Sequence, residues 1–169
     1  MSAPRLLVTG SRHHDWSATD TIALLMAAQD INRMRSRRNT LMPWEPPVLV
    51  HGGANGADTG AALAAQRLGW TKEVHHAEWN RLGRTAGPIR NRKMVDLSAD
   101  LCLAFPNHLR GKGSRGTWGC VDLAYKAGIP VLVVWENRVW TYDVPLDGES
   151  TFRSAIALDL PFGGSRELA

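Results

Sequence analysis

The chain has 169 residues, of which 44% are hydrophobic and 21% charged; this composition is typical of a globular domain and excludes global disorder. Its formal net charge of +4 is too small to predict nucleic-acid binding by itself. No apolar run reaches the roughly 18 residues of a membrane span, so we expect a cytoplasmic protein without a membrane partner.

The predicted elements alternate short apolar strands with helices. In chain order the predicted strands are 5–9, 48–51, 73–77, 101–105 and 129–135, and the predicted helices are 19–34, 59–68, 89–98 and 117–127. Pro88 stands where the first residue of a helix is expected. Continuous apolar strands separated by helices predict a mainly parallel sheet that is covered on both faces.

This pattern predicts a single doubly wound α/β domain over residues 1–169, with about five strands and a core at about 5–135. The C-terminal extension, 136–169, is expected to add an edge strand near 138–142 and a short helix near 151–158.

Three glycine-rich loops follow predicted strands, at the sheet edge where open parallel sheets bind ligands. Glycines let backbone amides approach a ligand, and a following helix N-terminus adds about half a positive charge. A tight turn without a ligand explains any one loop alone, whereas three on one edge favour an anion. The residues predicted to bind it are Gly10, Ser11, Arg12, Gly52, Gly53, Asn55, Asp58, Gly113, Ser114, Gly116 and Thr117.

The charge pattern agrees with an anionic ligand. Two windows without acidic residues, 79–95 and 101–121, flank these loops and carry several arginines and lysines. Two cysteines cannot form a disulfide framework, and no metal-ligand spacing occurs, so we expect neither a metal nor another cofactor.

Five segments resemble the SLOG superfamily in residues and in order. They are Gly10-Ser11-Arg12, HGGANGAD (51–58), AEWNRLGRTAGPIRNRKM (77–94), LAFP (103–106) and GSRGTWGCVDLA (113–124). The resemblance covers about residues 5–135 and is greatest to the YspA-like (DUF2493) group; the lonely guy phosphoribohydrolases and DprA are more distant relatives. It implies a Rossmann-like domain that binds a nucleotide or nucleotide-derived ligand, phosphorylated and ribose-containing, such as a nucleoside monophosphate or an ADP-ribose derivative.

The resemblance also implies a role for Arg90. In the phosphoribohydrolases an arginine four residues before a methionine lies at the site, and Arg90 and Met94 have this spacing. We therefore predict Arg90 as a catalytic or phosphate-clamping residue, because its guanidinium can bind a phosphate with two nitrogens.

N-glycosidic cleavage is the alternative function. The phosphoribohydrolase loop carries two glutamates, whereas this chain has Gly119 and Cys120 at those positions. Such a reaction needs a carboxylate, and the candidates to replace the glutamates are Glu78, Asp58 and Asp122, with Glu78 as the catalytic candidate.

Three further residues have both a binding and a structural interpretation. Asp58 either caps the following helix or binds a ribose, Trp79 either stacks on a base or packs, and Asn91 either contacts the ligand or holds its loop.

The seven tryptophans also suit an oligomer interface, and we expect a homo-oligomer, a dimer or larger. A further alternative is DprA-like nucleic-acid binding through the basic cluster at 33–38. Because this cluster has no aromatic residues on which bases could stack, we expect no nucleic-acid partner.

Overall fold

The computed structural model describes residues 2–38, 43–143 and the strand at 151–157. The strands are β1 (Arg5–Gly10), β2 (Val48–His51), β3 (Lys72–Val74), β4 (Leu101–Phe105), β5 (Val131–Trp135), β6 (Arg138–Asp143) and β7 (Thr151–Ala157). The helices are α1 (Ala18–Arg38), α2 (Ala57–Arg67), α3 (Trp79–Leu82), α4 (Ala86–Asp96) and α5 (Arg115–Lys126), and a 3₁₀ turn at Gly83–Thr85 joins α3 to α4.

The strands form one sheet in the order β3-β2-β1-β4-β5-β6-β7. Strands β1 to β5 pair in parallel, and β6 and β7 are antiparallel. The α/β class and the mainly parallel sheet are therefore confirmed. Strand β1 lies between β2 and β4, with Leu6 opposite Leu49 on one side and Leu101 on the other.

Helices cover the parallel part of the sheet on both faces. Successive strand residues point to opposite faces, so Leu6 and Val8 pack with α1 and α2, whereas Leu7 packs with α4 and α5. The end of β1 lies so close to the start of α2 that a Cβ on Gly10 would be 2.2 Å from the Cβ of Ala57. Only glycine fits there, and the tight contact fixes the first glycine loop against the second.

The extension differs from its prediction. The predicted edge strand near 138–142 forms as β6, but it lies within the sheet between β5 and β7. Glu136 and Asn137 connect β5 to β6 with φ values of 49° and 58°, as a two-residue hairpin turn requires. The short helix predicted near 151–158 is wrong over 151–157, which form β7, because pairing with β6 decides that segment's structure. Residue 158 lies outside the described residues.

Smaller differences concern the region before the predicted third helix. Strand β3 ends at Val74 rather than at residue 77, and the four-residue helix α3 was not predicted. Helix α4 begins at Ala86, so Pro88 is its third residue and Arg90 lies in its second turn. Proline is tolerated throughout a first turn, because those N–H groups have no partner within the helix.

Candidate functional site

A cavity of about 580 Å³ lies at the carboxyl ends of β1 and β4. This is the point at which the chain turns from one half of the sheet to the other, the usual ligand position in open α/β sheets. Most of the predicted ligand-binding residues line this cavity. They are Gly10, Ser11, Arg12, Asp58, Trp79, Arg90, Asn91, Gly113, Ser114, Gly116 and Thr117.

The remaining predicted residues lie elsewhere. Gly52, Gly53 and Asn55 line a second cavity of about 270 Å³. We call the 580 Å³ cavity the main cavity and the 270 Å³ cavity the side cavity. Arg12, Trp79 and Arg90 line both and so lie between them.

Glu78, the predicted catalytic carboxylate, lies outside both cavities. Its side chain is exposed and pairs with Arg81 on the surface, and this hydrogen-bonded ion pair lowers the pKa of Glu78. Its position therefore gives no support to the predicted catalytic role.

The charged residues of the main cavity are mostly basic. Arg12, Arg90 and Arg115 line it, and among the described residues Asp58 is its single acidic lining residue. An excess of guanidinium groups in a concave site attracts anions.

Contacts from several directions fix the Arg90 guanidinium. Nε donates to Oδ1 of Asn91 at 2.9 Å, and Nη1 donates to the backbone carbonyl of His75 at 3.4 Å. The group also packs on Gly52, where a Cβ would lie 1.4 Å from Nη1. Burial lowers the pKa of Arg90 and the nearby Asp58 opposes this effect, but an arginine stays protonated in proteins.

Asp58 holds the second glycine loop closed. It is 4% exposed, and its Oδ2 accepts hydrogen bonds from the backbone N–H groups of Gly52 at 3.0 Å and Ala54 at 3.2 Å. Burial raises the pKa of this carboxyl, and the hydrogen bonds and Arg90 act in the opposite direction. The capping interpretation is wrong, because α2 begins after Gly56 without a side-chain cap. Oδ1 has no hydrogen-bond partner among the described residues, so a ligand hydroxyl can bind there.

The first turn of α5 has backbone amides without a hydrogen-bond partner among the described residues, and it lies at the main cavity. Ser114 precedes this helix in a left-handed conformation, and its Oγ accepts a hydrogen bond from Asn107 N–H at 3.0 Å instead of capping the helix. The first helical hydrogen bond is donated by Trp118, so the amides of 115–117 have no partner within the helix. Gly116 and Thr117 line the cavity, and such amides favour a bound anion.

Trp79 and Arg12 form a stacked pair between the two cavities. The Arg12 guanidinium lies 5.1 Å from the centre of the Trp79 ring. A Cβ on Gly87 would lie 3.1 Å from this ring, so the indole also packs against the start of α4. With 47% of its surface exposed, Trp79 keeps area on which a flat ligand group can stack.

The cavity also contains residues that were not predicted. His13, Met94, His108 and Arg115 line it, and His13 and Arg115 directly follow or lie within the predicted loops. Their position in or next to those loops is the sequence signal that could have identified His13 and Arg115 as cavity residues. Of the two positions compared with the phosphoribohydrolase glutamates, Gly119 lines the cavity without a side chain and Cys120 is buried in the core. Asp122, a candidate replacement carboxylate, pairs with Arg110 and does not line the main cavity.

Two other features are absent from the described parts of the chain, residues 2–38, 43–143 and 151–157. These residues contain no group of three or more His, Cys, Asp or Glu side chains that could hold a metal ion. None of their helices is both long enough and apolar enough to cross a membrane.

Comparison with known proteins gives a relative that shows the family of the chain. No family model matches the sequence, and no solved structure matches it. The Gene 61 protein of Mycobacterium phage D29 is 46% identical over 94 residues, which amount to 50% of this chain and 69% of that protein. The chain therefore belongs to the family of the Gene 61 protein of Mycobacterium phage D29.

Proposed function

We propose that the chain is a doubly wound, Rossmann-like domain of the SLOG superfamily that binds a nucleotide or nucleotide-derived ligand in the main cavity. The strand order β3-β2-β1-β4-β5 supports the fold assignment. Rossmann-like domains have the same order, in which the first strand is central and later strands are added on both of its sides. The ligand is phosphorylated and contains a ribose, as in a nucleoside monophosphate or an ADP-ribose derivative.

One observation carries this proposal. The Arg90 guanidinium and the unpaired amides at the start of α5 line the same cavity, together with Arg12 and Arg115. Guanidinium groups and helix N-terminal amides both bind phosphate through charge-assisted hydrogen bonds. The exposed ring of Trp79 and the free Oδ1 of Asp58 are suited to a base and to a ribose hydroxyl.

Binding, for sensing or sequestration, is favoured over N-glycosidic cleavage. Glycoside hydrolysis generally uses two carboxyl groups, one on each side of the scissile bond. Asp58 is the single acidic residue lining the described main cavity, and two backbone amides already engage one of its oxygens. We expect wild-type protein to release little free base from AMP.

Nucleic-acid binding through the basic cluster of α1 is also disfavoured. Arg33 pairs with Asp30 at 3.1 Å, and Arg35 pairs with Asp100 at 3.2 Å. These carboxylates neutralise part of the charge that a polyanion would need.

A thermal-shift screen tests the proposed function. Mononucleotides, dinucleotides, ADP-ribose and its cyclic forms are added to the purified chain. A ligand present at about 100 times its Kd stabilises the fold by about 2.7 kcal/mol, which raises the melting temperature by several degrees. Absence of a shift with every compound would contradict the proposal.

Arg90→Ala and Arg92→Ala form a matched pair for this screen. Both remove one arginine from α4, but Arg92 is exposed and lines neither cavity. Arg90→Ala is expected to weaken binding of the identified nucleotide about ten- to a hundredfold, and Arg92→Ala to leave it unchanged. Equal effects of both substitutions would indicate a general charge effect rather than a clamp.

A further inference from the structure

Asn91 lies in the middle of α4 and contacts two parts of the proposed anion site. Its side chain is buried, with 5% of its surface exposed. Oδ1 accepts the hydrogen bond from Arg90 Nε at 2.9 Å, and Nδ2 donates a hydrogen bond to the backbone carbonyl of Gly116 at 3.1 Å. One amide thus joins the arginine of α4 to the first turn of α5.

The chemistry of the amide makes this contact directional. A primary amide has an acceptor at one end and donors at the other, so one orientation alone satisfies both partners. The Arg90 N–H can only donate, and the Gly116 carbonyl can only accept. A carboxylate in place of the amide would therefore keep the first contact and lose the second.

The contact also decides which Arg90 nitrogens remain for a ligand. Nε is engaged by Asn91 and one N–H of Nη1 by the carbonyl of His75. Nη2 has no hydrogen-bond partner in the part of the chain that the structure describes. Both N–H groups of Nη2 and the second N–H of Nη1 therefore remain for a ligand, while Asn91 holds the Nε edge.

We propose that Asn91 is a positioning residue that couples Arg90 to the first turn of α5 and thereby holds the two anion-binding elements at a fixed separation. The proposal rests on the proposed function, because it takes both elements to contact one anion. Asn91 acts through Arg90 and Gly116 and needs no contact with the ligand; of its two sequence-based interpretations, ligand contact and a structural role, the proposal develops the structural one.

Three variants test the affinity for AMP by calorimetry. Asn91→Asp keeps an acceptor for Arg90 but places an oxygen against the Gly116 carbonyl, and Asn91→Ala removes both contacts without adding charge. Each is expected to weaken AMP binding by about tenfold or more. Asn80→Asp makes the same chemical change at an exposed position of α3 outside both cavities and is expected to bind AMP as the wild type does.

A double-mutant cycle with Asn91→Ala and Arg90→Ala separates coupling from a merely structural role of Asn91. If Asn91 acts through Arg90, Asn91→Ala causes a much smaller loss in the Arg90→Ala background than in the wild type. Full additivity, or wild-type affinity in both Asn91 variants, overturns the proposal.

NMR spectroscopy of the ligand-free protein makes the test independent of AMP. The ¹⁵N–¹H signal of Arg90 Nε, identified by its loss in Arg90→Lys, is expected to move in Asn91→Ala. The amide signal of Thr117, which follows the Gly116 carbonyl, is expected to respond to Arg90→Lys only while Asn91 is present. Unchanged signals overturn the coupling. If these signals respond but no nucleotide binds the wild type, the coupling stands and the proposed function fails.

Discussion

His51 allows a direct test of the packing at the carboxyl end of β2. It is 4% exposed; its Nδ1 accepts a hydrogen bond from Gly53 N–H at 3.1 Å, and its Nε2 is buried without a partner among the described residues. Burial, reinforced by the positive charges of Lys72 and other neighbours, lowers the pKa of His51 from 6.5 to about 4. The folded protein therefore holds this histidine in its neutral form near pH 7.

The lowered pKa predicts a loss of stability in acid. In the unfolded chain the imidazole titrates near pH 6.5, so below that pH the unfolded state binds a proton that the folded state does not. The contribution of His51 is fully present above pH 6.5 and is lost as the pH falls toward 4. Because one pKa unit corresponds to about 1.4 kcal/mol, the shift predicts a loss of up to about 3 kcal/mol.

Urea unfolding at about pH 7 and about pH 4 measures this loss. Other groups also titrate in this range, so the wild type is compared with His51→Gln, which cannot take up the proton. The free energy of unfolding of His51→Gln minus that of the wild type should be higher at about pH 4 than at about pH 7, by up to about 3 kcal/mol. His76→Gln, at an exposed neighbouring position, is the control. The same difference at both pH values would refute the reasoning.

Three further predictions concern other positions. Gly52→Ala places a methyl group against the Arg90 guanidinium and should weaken AMP binding about ten- to a hundredfold by calorimetry, with no further loss in the Arg90→Ala background; additive losses would contradict this. Gly119→Ala in α5 meets no atom within 4 Å and should raise stability by about 0.5–1 kcal/mol in thermal melts, and a decrease would show hidden crowding. Hydrogen bonding to Arg5 lowers the pKa of Glu73 to about 2, so Glu73→Gln should flatten the acid-induced loss of stability between pH 4.5 and 2; an unchanged slope would disprove it.

The parallel part of the fold could be predicted because its signals are local. Strands β1, β2 and β4 are largely apolar runs that end at glycine or are followed directly by glycine or proline, and the helices α1, α2, α4 and α5 have sufficient length for a helical pattern. The same pattern predicted that the glycine loops lie together, since loops after parallel strands converge at one edge of the sheet. Thr117 and Gly10 were therefore predicted to lie together although more than a hundred residues separate them.

The features that the sequence did not indicate depend on contacts that form only in the folded chain. Helix α3 has four residues, too few to show periodicity, and β7 is a strand because it pairs with β6. Glu78 is adjacent to the cavity residue Trp79, yet a single step along the chain turns it to the surface, where it meets Arg81. The position of Asp58 against the amides of its own loop is likewise a result of folding, which sequence spacing alone could not distinguish from helix capping.

The path of α4 explains why Arg90 and Asn91 can serve one site together. This helix belongs to the crossover from β3, on one side of β1, to β4 on the other, so it passes over the point where the two halves of the sheet meet. Arg90 contacts Gly52 and His75, which follow β2 and β3, whereas Asn91 contacts Gly116, which follows β4. Two consecutive residues thus connect loops from both halves. Under the proposed function an anion at this point contacts both loops, so its binding energy acts on the crossover itself, and amide protons of α4 should exchange more slowly in its presence.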